Sequence, residues 1–135
     1  MSQTNAAGWS LSEVQSMATK AARGSGLDWS LAEACGRGTR WLCAQGLDGV
    51  AIAVAALVPD HPLSQKTPID TPEPPDVPAA CPIRTGTWAT DRAHLLADVT
   101  QTETPVRSAL MLLPFAGQIA QIRQTSVGVM LSDGL

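Results

Sequence analysis

Clustered positive charge is missing from this chain. Its nine Lys and Arg stand against twelve Asp and Glu, and no stretch gathers cations on one face as a nucleic-acid footprint requires, so DNA and RNA binding are disfavoured. Long apolar runs are missing as well. The longest, Val50–Val58, is far shorter than the roughly 20 residues a bilayer span needs. The first residues, Met1-Ser2-Gln3-Thr4-Asn5, have neither a basic region nor an apolar core, which speaks against a signal peptide. Cysteine is scarce and odd in number. Cys35, Cys43 and Cys81 show no disulfide-framework spacing and read as reduced thiols. These absences point to a cytoplasmic protein with no membrane or nucleic-acid partner.

Chemical signatures are equally thin. None of Cys35, Cys43, Cys81, His61 and His94 pairs at the spacing that sets two ligands on one ion, so neither a metal nor another cofactor is expected. Gly24-Ser25-Gly26 and Gly36-Arg37-Gly38 follow no strand and fail as phosphate-binding loops.

What the chain does have is a doubled phrase. Trp9-Ser10-Leu11-Ser12-Glu13 returns as Trp29-Ser30-Leu31-Ala32-Glu33. Each copy reads as a helix start: serine at the N-cap, glutamate at N3 closing a capping box, and tryptophan at N′ facing Val14 or Ala34 as a hydrophobic staple. Each helix then stops at a glycine followed by a leucine, Gly24 or Gly26 before Leu27 and Gly46 before Leu47, the composition of a left-handed C-cap. The first helix is predicted over 11–23 and the second over 31–45. The second has an apolar stripe of Leu31, Ala34, Cys35, Gly38, Trp41 and Leu42, with Trp41 in the core and Gly38 at a tight crossing. Glu33 and Arg37 lie at i, i+4 as a surface ion pair. Asp48 caps a third helix over 49–57, apolar on every side as a central or interface helix would be.

The character of the chain changes at Pro59. Eight of the ten prolines fall between Pro59 and Pro82, where Asp60, Asp70, Glu73 and Asp76 face only Lys66. This acidic stretch reads as a linker or long loop, with a docking segment or site cover as its functional alternative. Beyond it the pattern predicts a fourth helix over 89–98, a buried strand over 106–113, a short helix from Pro114 to about Ile122, and a strand over 126–132 in which Val127, Val129 and Leu131 alternate with Gly128, Met130 and Ser132. Asp133-Gly134 then signals a hairpin turn, yet the sequence stops at Leu135. Either another chain supplies the pairing edge or the sequence is part of something longer.

The predicted organisation is one globular domain of the α+β class, mainly α. A flexible tail (1–10) leads to a three-helix unit (11–58), the acidic proline-rich connection (59–82) and a small α/β segment (83–135) that packs on the helices and ends in a strand. An association or accessory module is the leading reading, a homo-oligomer or the binder of a protein partner. Its interface candidates are Val50, Val54 and Leu57 on the third helix and Val127, Val129 and Leu131 on the last strand. The alternative is a small enzyme or small-molecule binder with a pocket between the halves. Arg40 and Trp88 would line that pocket, and Cys81, with His94 as base and Asp91 as its orienter, would be the catalytic candidates. The sequence names no ligand and leaves open whether the protein is an enzyme.

Ala18-Thr19-Lys20-Ala21-Ala22-Arg23-Gly24, then Gly26, Trp29, Leu31-Ala32-Glu33, Gly36, Arg40-Trp41-Leu42 and Gly46-Leu47, resemble an uncharacterised proteobacterial family, a domain of unknown function. Cys81-Pro82-Ile83 and Leu113-Pro114-Phe115 look like its later, weaker landmarks. The resemblance implies a soluble bacterial protein and a chain that continues past Leu135. It carries over no activity and no catalytic residue.

Overall fold

The computed structural model describes residues 8–58, 81–97 and 106–130. Five helices follow in order: α1 (Leu11–Gly24), α2 (Trp29–Ala44), α3 (Gly49–Leu57), α4 (Pro82–Asp91) and α5 (Leu113–Arg123), the last preceded by a 3₁₀ turn, Ala109–Leu112. Helix α2 touches every other element. Its composition allows this, because Ala32, Ala34, Cys35, Gly36, Gly38, Thr39 and Leu42 are buried around more than one side. Small residues let several neighbours approach one axis.

Helices α1 and α2 form an antiparallel hairpin. Gly36 lies against Thr19, and four residues further along α2 Arg40 donates to the Gln15 side chain at 3.1 Å. As α2 advances its partners on α1 fall back, which is the register of antiparallel neighbours. The tight α1–α2 crossing is therefore at Gly36, where a Cβ would come within 2.7 Å of the Gln15 carbonyl oxygen. Gly38, where a tight crossing was also predicted, lies close against Met111 of the 3₁₀ turn and Pro114 of α5, a Cβ there coming within 2.9 Å of the Met111 side chain.

The doubled phrase folds differently in its two copies. Ser10 caps α1 in a full capping box: the Glu13 N–H donates to Ser10 Oγ at 3.1 Å, and the Ser10 N–H donates to Glu13 Oε2 at 2.9 Å. Helix α2 starts earlier, on Asp28, whose carboxylate accepts from the Leu31 N–H at 2.9 Å. Trp29 and Ser30 are then already helical, so Ser30 is not a cap, Trp29 is not at N′, and Glu33 is left to an exposed 4.0 Å contact with Arg37. The position twenty residues before Asp28 is Gly8, which has no side chain to compete with Ser10.

The repeat that does hold is Gly-Leu-Asp, at 26–28 and 46–48. Gly26 and Gly46 take φ +106° and +85°. The Gly26 and Leu27 amides donate to the Arg23 and Ala22 carbonyls, and the Gly46 and Leu47 amides donate to those of Cys43 and Leu42, all at 3.0–3.1 Å. This is the Schellman arrangement that ends a helix. The aspartate that follows caps the next one, Asp48 accepting from the Ala51 N–H at 3.1 Å. The two leucines fare differently. Leu27 is 7% exposed and Leu47 is 43% exposed.

The C-terminal part corrects the predicted class. Helix α4 begins seven residues earlier than expected, because Pro82 suits the first helical turn. The apolar run 106–113 is not a strand. Val106 is at most a single bridge residue, and the left-handed Ser108 (φ +48°) turns the chain into the 3₁₀ segment. The alternating residues 126–130 form no strand either, and among the described residues the fold is mainly α rather than α+β. Alternation alone does not make a strand. A neighbouring strand must take its backbone hydrogen bonds, and Val127 and Met130 are exposed with no core face beneath them. Leu131, the Asp133-Gly134 turn signal and the proline-rich residues 59–80 lie outside the described residues.

The core joins the two parts of the chain. Ala32, Cys35 and Leu42 from α2 and Ala56 from α3 meet Ile83 from α4, Met111 from the 3₁₀ turn and Phe115 from α5. Helices α4 and α5 come so close that the Phe115 ring occupies the space a Cβ on Gly86 would need.

Candidate functional site

Cys81, at the N-cap of α4, is partly buried and packs against the core. Asp91 ends the same helix, and His94 lies in the turn beyond it, both exposed. A ten-residue helix is about 15 Å long, so the thiol and the imidazole stand at opposite ends of α4. The structure does not bring them together as nucleophile and base. Arg40 is directed to Gln15 on α1, while the exposed Trp88 carries the Arg92 guanidinium over its ring at 4.8 Å from the centroid. Each of these two side chains is engaged with a near neighbour instead of lining a shared pocket.

Cys35 is fully buried. Burial pushes its thiol up to about 11 from 9.0; a hydrogen bond with Thr39 opposes the rise and nearby Cys81 adds to it. A thiol in that condition is protonated at neutral pH and is a packing residue, not a nucleophile. No group of three or more His, Cys, Asp and Glu side chains suited to a metal ion occurs among the described residues.

A groove of about 240 Å³ does run between the two parts of the chain, along α2 and α5. Gly38, Pro114 and Gly117 contribute to its lining, as do Arg37, Trp41, Gln118 and Gln121. Trp41 was expected in the core; it is 36% exposed and rests against Gly117. Arg37 and Trp41 at i, i+4 and Gln118 and Gln121 at i, i+3 were legible only as helix faces. Which faces meet is settled by tertiary packing. A broader depression of about 420 Å³ along α1, beside Trp9, Glu13 and Met17, is open to solvent and is formed by one helix and the residues before it.

The third feature is the outer side of α3. No residue from Gly49 to Leu57 is charged. Gly49, Ala53, Ala55 and Ala56 are buried on the inner side, against α2, α1 and the 3₁₀ turn. Val50, Val54 and Val58 recur every fourth residue with exposures of 40%, 38% and 45%. Leu57 is partly buried and packs on the core, so it sits at the edge of this face. Of the predicted strand candidates, Val127 is exposed and Val129 partly buried, in a segment without regular structure. No helix among the described residues is long and apolar enough to cross a membrane.

A family model described as "Protein of unknown function (DUF3726)" matches residues 9–62. The match takes in α1, α2 and α3, the half whose residues carried the resemblance to an uncharacterised family. No curated protein and no solved structure matches the chain.

Proposed function

We propose that the chain is a small association module that forms homo-oligomers, with the outer side of α3 as the contact surface. The observation that carries this reading is a helix without a single charged residue whose Val50 and Val54, followed by Val58 at its C-cap, are each about two-fifths exposed. Isolated apolar side chains on a surface are ordinary; a contiguous stripe is the mark of a contact. Leu47 strengthens the reading. The same Gly-Leu-Asp junction buries Leu27 but leaves Leu47, three residues before Val50 in sequence, 43% exposed. Light scattering over a dilution series tests it: the mean mass is expected to rise with concentration, and a constant monomer mass throughout overturns the reading.

A second reading, a small-molecule binder, attaches to the α2–α5 groove, where an exposed indole, a guanidinium and two carboxamides surround a floor of small residues. A thermal-shift screen with a metabolite library tests it. Stabilisation that disappears on Arg37→Ala supports it, and no shift with any compound removes it.

A further inference from the structure

We infer that the α2–α5 groove binds a small planar aromatic carboxylate, its ring against Trp41 and its carboxylate at Arg37. The inference rests on the binder reading above and adds the chemical class of the ligand.

Charge selects an anion. Arg37 is the only charged side chain among the described residues that line the groove. Its partner on α2, Glu33, stands off at 4.0 Å, with both side chains more than half exposed. A contact of that kind holds the guanidinium weakly in water. A ligand carboxylate can take its place with two parallel N–H···O bonds, the geometry that arginine is built for.

Shape selects a flat ring. Trp41 is partly exposed at the groove, and a Cβ on Gly117 would lie 3.4 Å from its Cζ2 and 3.8 Å from its Nε1. With glycine at that position, this edge of the indole stays open. The volume of about 240 Å³ falls below the roughly 300–1,000 Å³ of pockets for drug-sized ligands and suits one or two rings. Arg37 and Trp41 stand one helical turn apart, about 5–6 Å between Cβ atoms, a span that a ring bearing one carboxylate covers.

Polar groups without partners complete the site. Among the described residues, no hydrogen bond engages the Trp41 indole N–H or the carboxamides of Gln118 and Gln121. The two glutamines line the groove from α5 and can bond a hydroxyl on the ring. A ligand of this size in an open groove binds on the order of millimolar.

The experiment is a titration of the full isotope-labelled chain with para-hydroxybenzoate, followed through its backbone amide resonances. Para-hydroxybenzamide removes the charge and cyclohexanecarboxylate removes the flat ring. The acid is expected to shift residues 37–41 and 117–121 saturably. The amide should bind about tenfold more weakly, the worth of a hydrogen bond to a charged group, and the saturated acid several-fold more weakly. Arg37→Gln is expected to erase the preference for acid over amide. Gly117→Ala sets its methyl at ordinary contact distance from the indole, so the chain should fold, as circular dichroism checks, and lose affinity. The inference is overturned by equal binding of acid and amide, by shifts centred elsewhere, or by no response to para-hydroxybenzoate. An Arg37→Gln chain that keeps the preference, or a Gly117→Ala chain that binds like wild type, overturns it too. In each case a metabolite of another class that binds the groove in the thermal-shift screen leaves the binder reading standing. Silence in that screen as well overturns both.

Discussion

Ser108 donates its hydroxyl to the carbonyl oxygen of Ile52 at 2.8 Å, across fifty-six residues of sequence. Its neighbour Arg107 donates to the Ala56 carbonyl one turn further along α3. Two consecutive residues of a turn thus hold the helix whose outer side is proposed as the contact surface. Ala56 lies in the last turn of α3, where carbonyls lack helical partners, and α3 has no basic residue of its own there. Ser108 reaches its position in the left-handed region, at φ +48°, a conformation that costs a non-glycine residue roughly 1 kcal/mol. Ser108→Ala removes the bond and keeps that cost, and should lower stability by about 1 kcal/mol. Ser108→Gly removes the bond but relieves the backbone, and should lose less. Urea unfolding measures both, and equal midpoints for alanine and wild type would show that the bond contributes nothing.

Helix α2 provides a test of which cap is real. Asp28→Ala removes the acceptor of the Leu31 amide and should cost about 1 kcal/mol, as loss of an N-cap does. Ser30→Ala alters an exposed residue inside the first turn and should leave the unfolding midpoint within about 0.5 kcal/mol of wild type. The reverse ranking would mean that the helix starts at Ser30 after all.

The same pair of residues shows how far the sequence could be read. Helix stops were plain because glycine at positive φ followed by leucine has few other uses, and α3 and α5 were found within a residue of their ends. The start of α2 was misplaced because Asp28 and Ser30 are both good caps two residues apart, and the choice depends on where the chain leaves the preceding turn. Leu27 is pinned by its bond to Ala22, so Asp28 is the first residue free to cap. The C-terminal half was less legible. An apolar run such as 106–113 fits a strand or a curled segment equally well, and the arbiter is Ser108, whose left-handed turn is held by a carbonyl on a distant helix. The α2–α5 groove was invisible for the same reason, since nothing local says that Trp41 will meet Gly117.

Gly86 tests the α4–α5 crossing. A methyl group there would have to enter the Phe115 ring, so Gly86→Ala requires α4 and α5 to separate. Overpacking of this kind costs about 1–3 kcal/mol despite alanine's better helix propensity. Gly24, at the end of α1, has nothing within 4 Å of its Cβ position, and Gly24→Ala should be neutral or stabilise by up to about 1 kcal/mol. Thermal unfolding of the two variants separates packing from propensity. A Gly86→Ala chain as stable as wild type would mean that the helices move apart at no cost.

Cys35 predicts the alkaline limit of the fold. Its thiol is protonated in the folded chain up to about pH 11, against 9.0 for an exposed thiol. Below pH 9 both states hold the proton, and the site contributes nothing to the pH dependence. Between about 9 and 11 the unfolded chain releases a proton that the folded chain retains, so stability is lost as pH rises, by at most about 2–3 kcal/mol. Other groups titrate in the same window, so the quantity to measure is a difference. Cys35→Ala should be less stable than wild type at pH 7, because it removes a buried sulfur beside Thr39, and its disadvantage should shrink between pH 9 and 11. Parallel curves of unfolding free energy against pH for the two proteins would mean that Cys35 ionises in the folded chain as easily as in the unfolded one, and that its surroundings are more polar than the burial implies.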